Sequence, residues 1–427
     1  MSEGSTGAAA ADVVTEVAGA AVAAGTSWRR AGIAGTAIGV IAAGAAAGVA
    51  IERMTVGRGM RKKARLALDS AGPYGSLRGM PGTAYADDGT ELAYEVDEVD
   101  AVPARVDGVR VQADADADAE VGGPGLSGGA RRLRLFGRKV PAPVTVVFSH
   151  GYCLGQDSWH FQRAALRGVV RCVYWDQRSH GRSGRGVAQI EDGRPVSIDQ
   201  LGQDLKAVID AAAPEGPLVL VGHSMGGMTT MALADQFPDL VRERVAGVVL
   251  IGTSSGRLGE VNFGLPVAGM NAVRRVLPGV LKALGSQAEL VEKGRRATAD
   301  LFAGIIKRYS FASPRDIDPA VARFAERLIE STPIDVVAEF YPAFAEHDKT
   351  TALERFAGLP VLVLAGDKDL VTPSEHSEAI ADLLPDAELV LVPDAGHLVM
   401  MEHPEVVVDR IADLLVRAKE QVRDAAR

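Results

Sequence analysis

The 427-residue sequence predicts an α/β fold with a mostly parallel central sheet flanked by helices. Helical segments such as Ile198–Ala213 and Met225–Phe237 separate short apolar runs, which is the βαβ rhythm of a parallel sheet. These runs are short and nearly continuous, as expected for strands buried on both faces. They are Val144–Phe148, Val173–Trp175, Leu218–Val221, Val245–Ile251, Val361–Ala365 and Leu389–Val392.

The pattern divides the chain into four parts. Residues 1–80 are an Ala- and Gly-rich segment, and residues 81–254 form the first part of the α/β core, which opens with a hairpin around Asp87-Asp88-Gly89. Residues 255–356 lack strand signals and predict a helical insertion over the sheet. Residues 357–427 complete the core.

The N-terminal segment contains an uncharged stretch at residues 31–51. As a helix it would be about 31 Å long, close to the thickness of a bilayer core. We predict an N-terminal apolar helix that anchors the protein to a membrane, with the rest of the chain in the cytoplasm because basic residues are denser after the stretch. Two alternatives stay open. The Arg29–Arg30 pair is also a feature of export signals, and an Ala/Gly helix could simply pack on a partner in a cytoplasmic protein.

Charge and cysteine content exclude several classes. Lys and Arg number 46 against 55 Asp and Glu, and the net charge of −9 argues against nucleic acid as a partner. The 2 cysteines exclude a disulfide scaffold and a cysteine-rich metal site. No motif indicates a cofactor or a metal. An acidic insert at about 100–130 is typical of a solvated loop, with a docking site as the alternative.

The segment Gly222-His223-Ser224-Met225-Gly226 fits the G-x-S-x-G pattern of a nucleophile elbow. It lies directly after one predicted strand and directly before a helix, which is the context that the motif requires. A sharp turn there needs small neighbours, and the glycines supply them. Ser224 is therefore the predicted nucleophile.

A serine nucleophile needs a base, and His397 is the best candidate because it follows the last predicted strand on a loop. The base in turn needs an orienting carboxylate. Asp367 and Asp369 both follow the strand Val361–Ala365 and both fit the chain order of serine, aspartate and histidine. Spacing alone does not choose between them.

An oxyanion hole is predicted from the backbone N–H groups of Tyr152 and Met225. Tyr152 follows Gly151 at the end of the strand Val144–Phe148, where a glycine lets the backbone approach a bound ester. His150 is predicted to form structural hydrogen bonds beneath the site.

Taken in order, these segments resemble the α/β-hydrolase superfamily, and in particular its capped serine esterase and lipase branch, similar to monoacylglycerol lipases. The resemblance rests on His150-Gly151, the segment from Asp176 to Ser183, the elbow, and Asp369 with Gly396-His397. It covers about residues 82–420 and favours Asp369 as the acid, since Asp369-Leu370-Val371-Thr372-Pro373 matches the family pattern. Ser179 stands where the family's loop usually has its first glycine.

The resemblance implies a serine hydrolase that cleaves carboxylic esters through an acyl-enzyme, with a small-molecule ester as the expected substrate. An N-terminus anchored in a membrane would favour a lipid-derived ester. Thioester hydrolysis, carbon–carbon bond hydrolysis and cofactor-free perhydrolysis of the haloperoxidase type are alternatives on the same fold. A non-catalytic binding protein of hydrolase fold is the alternative from another class.

Overall fold

A computed structural model describes residues 74–99, 143–261, 306, 308–313 and 315–425. The predicted membrane helix at 31–51 and the acidic insert at about 100–130 lie outside these residues, so both stay predictions. Within the described ranges, no helix combines the length and the apolarity needed to cross a bilayer.

The strands are β1 (Met80–Tyr85), β2 (Glu91–Asp97), β3 (Thr145–Ser149), β4 (Arg171–Trp175), β5 (Leu218–His223), β6 (Val245–Ile251), β7 (Val361–Gly366) and β8 (Glu388–Val392). In the described part of the chain they form one eight-stranded sheet in the order β1-β2-β4-β3-β5-β6-β7-β8. The hairpin of β1 and β2 is antiparallel, and β2 also runs antiparallel to β4. The pairs from β4 through β3 to β8 are parallel, which confirms the mostly parallel sheet.

The central strands are buried on both faces, as their continuous apolar runs predict. In β3, Val146 and Phe148 pack into one hydrophobic core, whereas Val147 packs into the other. This alternation is the two-residue period of a strand. The sheet therefore separates two layers of helices, and every strand of its centre is fixed from both sides.

The helices are α1 (His160–Leu166), α2 (Val187–Glu191), α3 (Ile198–Ala212), α4 (Met225–Gln236), α5 (Pro238–Arg244), α6 (Pro319–Glu330), α7 (Ile334–Glu346), α8 (Ser374–Leu383), α9 (Val399–Glu402) and α10 (Pro404–Ala425). Residues of α1 and α10 share one core, and residues of α3, α4 and α8 share the other. Polar caps mark two of the starts. Ser197 accepts the N–H of Gln200 before α3, and Asp318 accepts the N–H of Ala320 before α6.

The described part of residues 255–356 holds α6, α7 and the short 3-10 helices Leu258–Glu260 and Thr351–Phe356, and it contains no strand. The break in the strand rhythm predicted from the sequence is therefore present in these residues. Because β6 ends at Ile251 and β7 begins at Val361, the insertion leaves the sheet at the carboxyl end of β6. Ligands of open α/β sheets bind at this edge.

Candidate active site

Ser224 lies at the sharp turn between β5 and α4. Its backbone has φ 51° and ψ −118°, a left-handed conformation that is unfavourable for a residue with a Cβ. The turn is held by two hydrogen bonds, from the Ser224 N–H to the Ile251 carbonyl at 2.9 Å and from the Thr253 hydroxyl to the Ser224 carbonyl at 2.7 Å. The Ser224 side chain does not cap the helix that it precedes, so its hydroxyl is not used by α4.

The glycines of the elbow are required by close backbone contacts. A Cβ on Gly226 would lie 2.1 Å from the Ser149 carbonyl oxygen, and a Cβ on Gly222 would lie 2.4 Å from that of Gly226. Such distances are far inside van der Waals contact. The small neighbours predicted from the motif thus have a direct steric reason.

His397 and Asp369 form a hydrogen-bonded pair. The distance from His397 Nδ1 to Asp369 Oδ2 is 2.8 Å. The Asp369 side chain is fully buried, while Asp367 is partly exposed and its carboxylate binds the Lys368 ammonium at 3.0 Å. Of the two carboxylates that the sequence left open, Asp369 is the one that contacts the histidine.

Thr372 is a member of this site that the sequence reasoning missed. Its hydroxyl donates to Asp369 Oδ2 at 2.9 Å and lies 3.3 Å from His397 Nδ1. The N–H groups of Val371 and Thr372 donate to the other oxygen, Asp369 Oδ1, at 2.7 and 2.9 Å. Asp369 is therefore saturated with donors, and charge-assisted bonds of this kind fix its orientation. The only sequence signal was that Thr372 lies three residues after Asp369.

His397 lies against the elbow through its neighbour His223. The His223 and His397 ring centroids are 4.8 Å apart, and His223 Nε2–H donates to the His397 carbonyl at 3.0 Å. Ser224 and His397 are 7% and 9% exposed, which places both at the border between core and solvent. Among the described residues no hydrogen bond joins the Ser224 hydroxyl to His397 Nε2. Such bonds commonly tighten only when substrate binds.

The loop after β3 passes directly over Ser224. A Cβ on Gly151 would lie 3.2 Å from Ser224 Cβ, so a glycine is needed for this approach. The described residues offer no hydrogen-bond acceptor to the N–H of Tyr152 or to that of Met225. An oxyanion hole requires backbone donors that are not already bonded, and both predicted donors meet this condition.

The side chain of Tyr152 joins this loop to the insertion. Its hydroxyl donates to the Val337 carbonyl in α7. Its ring packs on Phe340 and Phe344 of the same helix, with centroid distances of 6.2 and 5.0 Å. The residue that carries one predicted oxyanion donor is thus fixed by α7.

His150 is a buried structural residue, as the sequence predicts. Its Nε2 accepts the Gln177 N–H at 2.9 Å, so the ring proton is on Nδ1 and is donated to the Gly151 carbonyl at 2.7 Å. Burial lowers the pKa of His150 to about 4, and its ring is neutral at pH 7. It therefore supports the loop that carries Gly151 and Tyr152.

The segment from Asp176 to Ser183 folds as a structural loop. Asp176 accepts the N–H groups of Gln156 at 2.6 Å and of Arg182 at 3.0 Å. Ser179, which replaces the usual glycine, adopts the left-handed φ of 64°, and its hydroxyl accepts the Gly186 N–H at 3.1 Å. The substitution thus keeps the turn and adds a hydrogen bond.

The chain resembles known proteins over most of its described length. The family model of the α/β hydrolase fold matches residues 144–404. The sn-1-specific diacylglycerol lipase ABHD11 of Mus musculus is 30% identical over 273 residues, which is 63% of this chain and 80% of the mouse protein. The 2-hydroxy-6-oxo-6-(2'-aminophenyl)hexa-2,4-dienoic acid hydrolase of Metapseudomonas resinovorans is 25% identical over 285 residues, or 66% of this chain and 87% of that protein.

Among solved structures, a thermophilic esterase from Thermogutta terrifontis superposes with a TM-score of 0.54 and 23% identity, covering 79% of this chain and 98% of that chain. This likeness shows the shared fold. The family match covers more than half of the sequence and includes the elbow, both aspartates and His397. The chain therefore belongs to the α/β-hydrolase family and is a hydrolase.

Proposed function

We propose that the protein cleaves carboxylic esters through an acyl-enzyme on Ser224, with His397 as base and Asp369 as its orienting carboxylate. The observation that carries the proposal is the 2.8 Å bond between His397 Nδ1 and the buried Asp369, next to a serine in a left-handed elbow. A saturated carboxylate that accepts Nδ1–H holds the imidazole with an unprotonated Nε2, which is the form that removes a serine proton.

The reaction follows from this arrangement. His397 Nε2 takes the Ser224 proton while Ser224 Oγ attacks the acyl carbonyl carbon, and the carbonyl oxygen becomes an oxyanion. The N–H groups of Tyr152 and Met225 bind that oxygen. His397 then gives its proton to the departing alcohol, and water, activated by the same nitrogen, releases the acid from Ser224.

The insertion at 255–356 is the proposed cap over this site. In support, Tyr152 beside Ser224 contacts α7 through Val337, Phe340 and Phe344. These aromatic side chains make the part of the insertion that meets Tyr152 apolar, which suits an acyl chain. The mouse relative is named as a diacylglycerol lipase, which also favours a substrate with an acyl chain. A lipid-derived ester is therefore the proposed substrate class.

Carbon–carbon bond hydrolysis is the second candidate, since the Metapseudomonas resinovorans relative is named as the hydrolase of a 2-hydroxy-6-oxo dienoic acid, a compound without an ester group. In that reaction the broken bond would join a carbonyl carbon to another carbon, whereas an ester hydrolase needs an acyl carbonyl and an alcohol leaving group. Thioester hydrolysis, perhydrolysis and pure binding remain as outcomes of the test.

The test compares the wild-type protein with Ser224→Ala and with the matched control Ser331→Ala, an exposed serine at the end of α6. p-Nitrophenyl esters from acetyl to palmitoyl and a fluorophosphonate probe are the reagents. We expect ester hydrolysis and labelling to fall by several orders of magnitude only in Ser224→Ala. Activity that survives in Ser224→Ala would refute the serine mechanism. A wild type that is labelled but cleaves no ester would favour thioester hydrolysis, carbon–carbon bond hydrolysis or perhydrolysis, and an unlabelled wild type would favour a binding protein.

A further inference from the structure

Glu402 joins two segments that are far apart in the sequence. Its Oε2 accepts the N–H of Gly396, directly before His397, at 2.7 Å. Its Oε1 accepts the N–H of Ala312 at 3.1 Å. Ala312 belongs to the part of the insertion that directly precedes α6. One carboxylate therefore holds the His397 loop against the segment 310–312.

The two segments are in close backbone contact at this point. A Cβ on Gly396 would lie 2.6 Å from the Ala312 nitrogen and from the Phe311 carbonyl carbon. The Leu398 N–H donates to the Ser310 carbonyl at 2.8 Å. Hydrogen bonds thus flank His397 on both sides, through Gly396 before it and Leu398 after it. The position of the imidazole is tied to the segment 310–312.

The His397 loop is also bonded to the loop that carries Asp369. The Lys368 N–H donates to the Ala395 carbonyl at 2.9 Å, next to Asp369. This bond and the Leu398–Ser310 bond join backbone to backbone, and substitution does not remove them. Among these contacts, Glu402 supplies the side-chain link. Of the contacts between the His397 loop and the segment 310–312, it is therefore the one that replacing a side chain removes.

We propose that Glu402 is a positioning residue that sets the place of His397 by clamping its loop to the segment 310–312. The inference rests on the proposed function, because it assigns His397 as the base. A geometric error of about 1 Å at a reacting group costs roughly 100-fold in rate. Glu402 acts through the Gly396 backbone, without touching substrate, so its effect falls on kcat and spares substrate binding.

The test is Glu402→Gln, with Glu405→Gln as the matched control because Glu405 is exposed on the neighbouring α10. The amide has one acceptor oxygen in place of two. With that oxygen at the Oε2 position, Gly396 keeps its bond and Ala312 keeps only the longer 3.4 Å contact, opposed by the new NH₂ group. With the oxygen at the Oε1 position, Gly396 loses its acceptor. Amide hydrogen exchange at Gly396 and Ala312 reports the clamp directly. Ester kinetics across pH, thermal unfolding and the rate of fluorophosphonate labelling report its consequence.

For Glu402→Gln we expect faster exchange at Gly396 or Ala312, a kcat lower by roughly 10- to 100-fold, and a KM within about twofold of the wild type. The labelling rate should fall with kcat, since labelling uses the same base. The control should match the wild type throughout. Faster exchange with unchanged kcat would overturn the inference, and so would a loss of kcat fully accounted for by unfolded protein. Ester cleavage that does not depend on Ser224 would instead overturn the proposed function, and this inference with it.

Discussion

Asp369→Asn tests the assignment of the acid, and the structure predicts how the new amide will orient. Asp369 Oδ1 accepts two backbone N–H groups, at 2.7 and 2.9 Å, while Oδ2 faces Thr372 and His397. An asparagine keeps its carbonyl on the backbone donors, since turning it would leave both without an acceptor at about 1–3 kcal/mol each. Its NH₂ group must then point at His397 Nδ1.

This orientation reverses the histidine tautomer. Nδ1 becomes the acceptor of the amide proton, and the ring proton moves to Nε2, which can no longer take the Ser224 proton. An arrangement of this kind costs about 10⁴-fold in kcat, or about 5 kcal/mol of barrier. The fold should be retained, because the side chain keeps its shape and both backbone bonds.

The assay is ester hydrolysis at pH 7, together with thermal unfolding to show that Asp369→Asn is folded. Asp367→Asn is the matched control, because Asp367 is partly exposed and its side chain binds only Lys368 in the described structure. We expect the control to match the wild type. If Asp369→Asn stayed within tenfold of the wild type, or if Asp367→Asn lost activity instead, the assignment would be wrong.

Two further predictions concern residues around this pair. Thr372→Val removes a hydroxyl donor that Asp369 keeps in the ground state and in the transition state alike. We therefore expect a loss of about 1.5–3 kcal/mol in unfolding free energy and a kcat loss below roughly tenfold. A kcat loss as large as that of Asp369→Asn would contradict this. Burial lowers the pKa of His150 from 6.5 to about 4, so only the unfolded chain binds a proton between these values. The resulting stability, about 3 kcal/mol, is present above pH 6.5 and lost as the pH falls to 4. Urea unfolding across this range should show a shallower decline for His150→Gln, and an equally steep decline would refute the prediction.

Local rules made the elbow and the sheet predictable. The strands of the centre are nearly continuous apolar runs because both of their faces are covered, and this pattern is visible without any partner. Ser224 was identified because a strand, a glycine-flanked serine and a helix follow one another directly. The turn and the close approach of Gly222 to Gly226 lie within a few residues, whereas the need for a glycine at 226 comes from Ser149 on β3.

The choice between Asp367 and Asp369 could not be made from spacing, since both follow β7 within three residues of Gly366. The resemblance favours Asp369, and in the structure Asp369 is the aspartate that contacts His397. Thr372 carries a common polar side chain, and its role is visible only where its hydroxyl meets Asp369 and His397. Such roles depend on how loops from different strands meet.

The sequence by itself determined the α/β architecture, the elbow at Ser224 and His397 as the candidate base. These follow from hydrophobic period and backbone sterics, which act over a few residues. Only the tertiary structure decided that Tyr152 is held by α7 and that Glu402 links Gly396 to Ala312. The Tyr152–Val337 and Glu402–Ala312 contacts join residues 185 and 90 positions apart, and the free energy that selects them comes from packing the whole sheet and its helices.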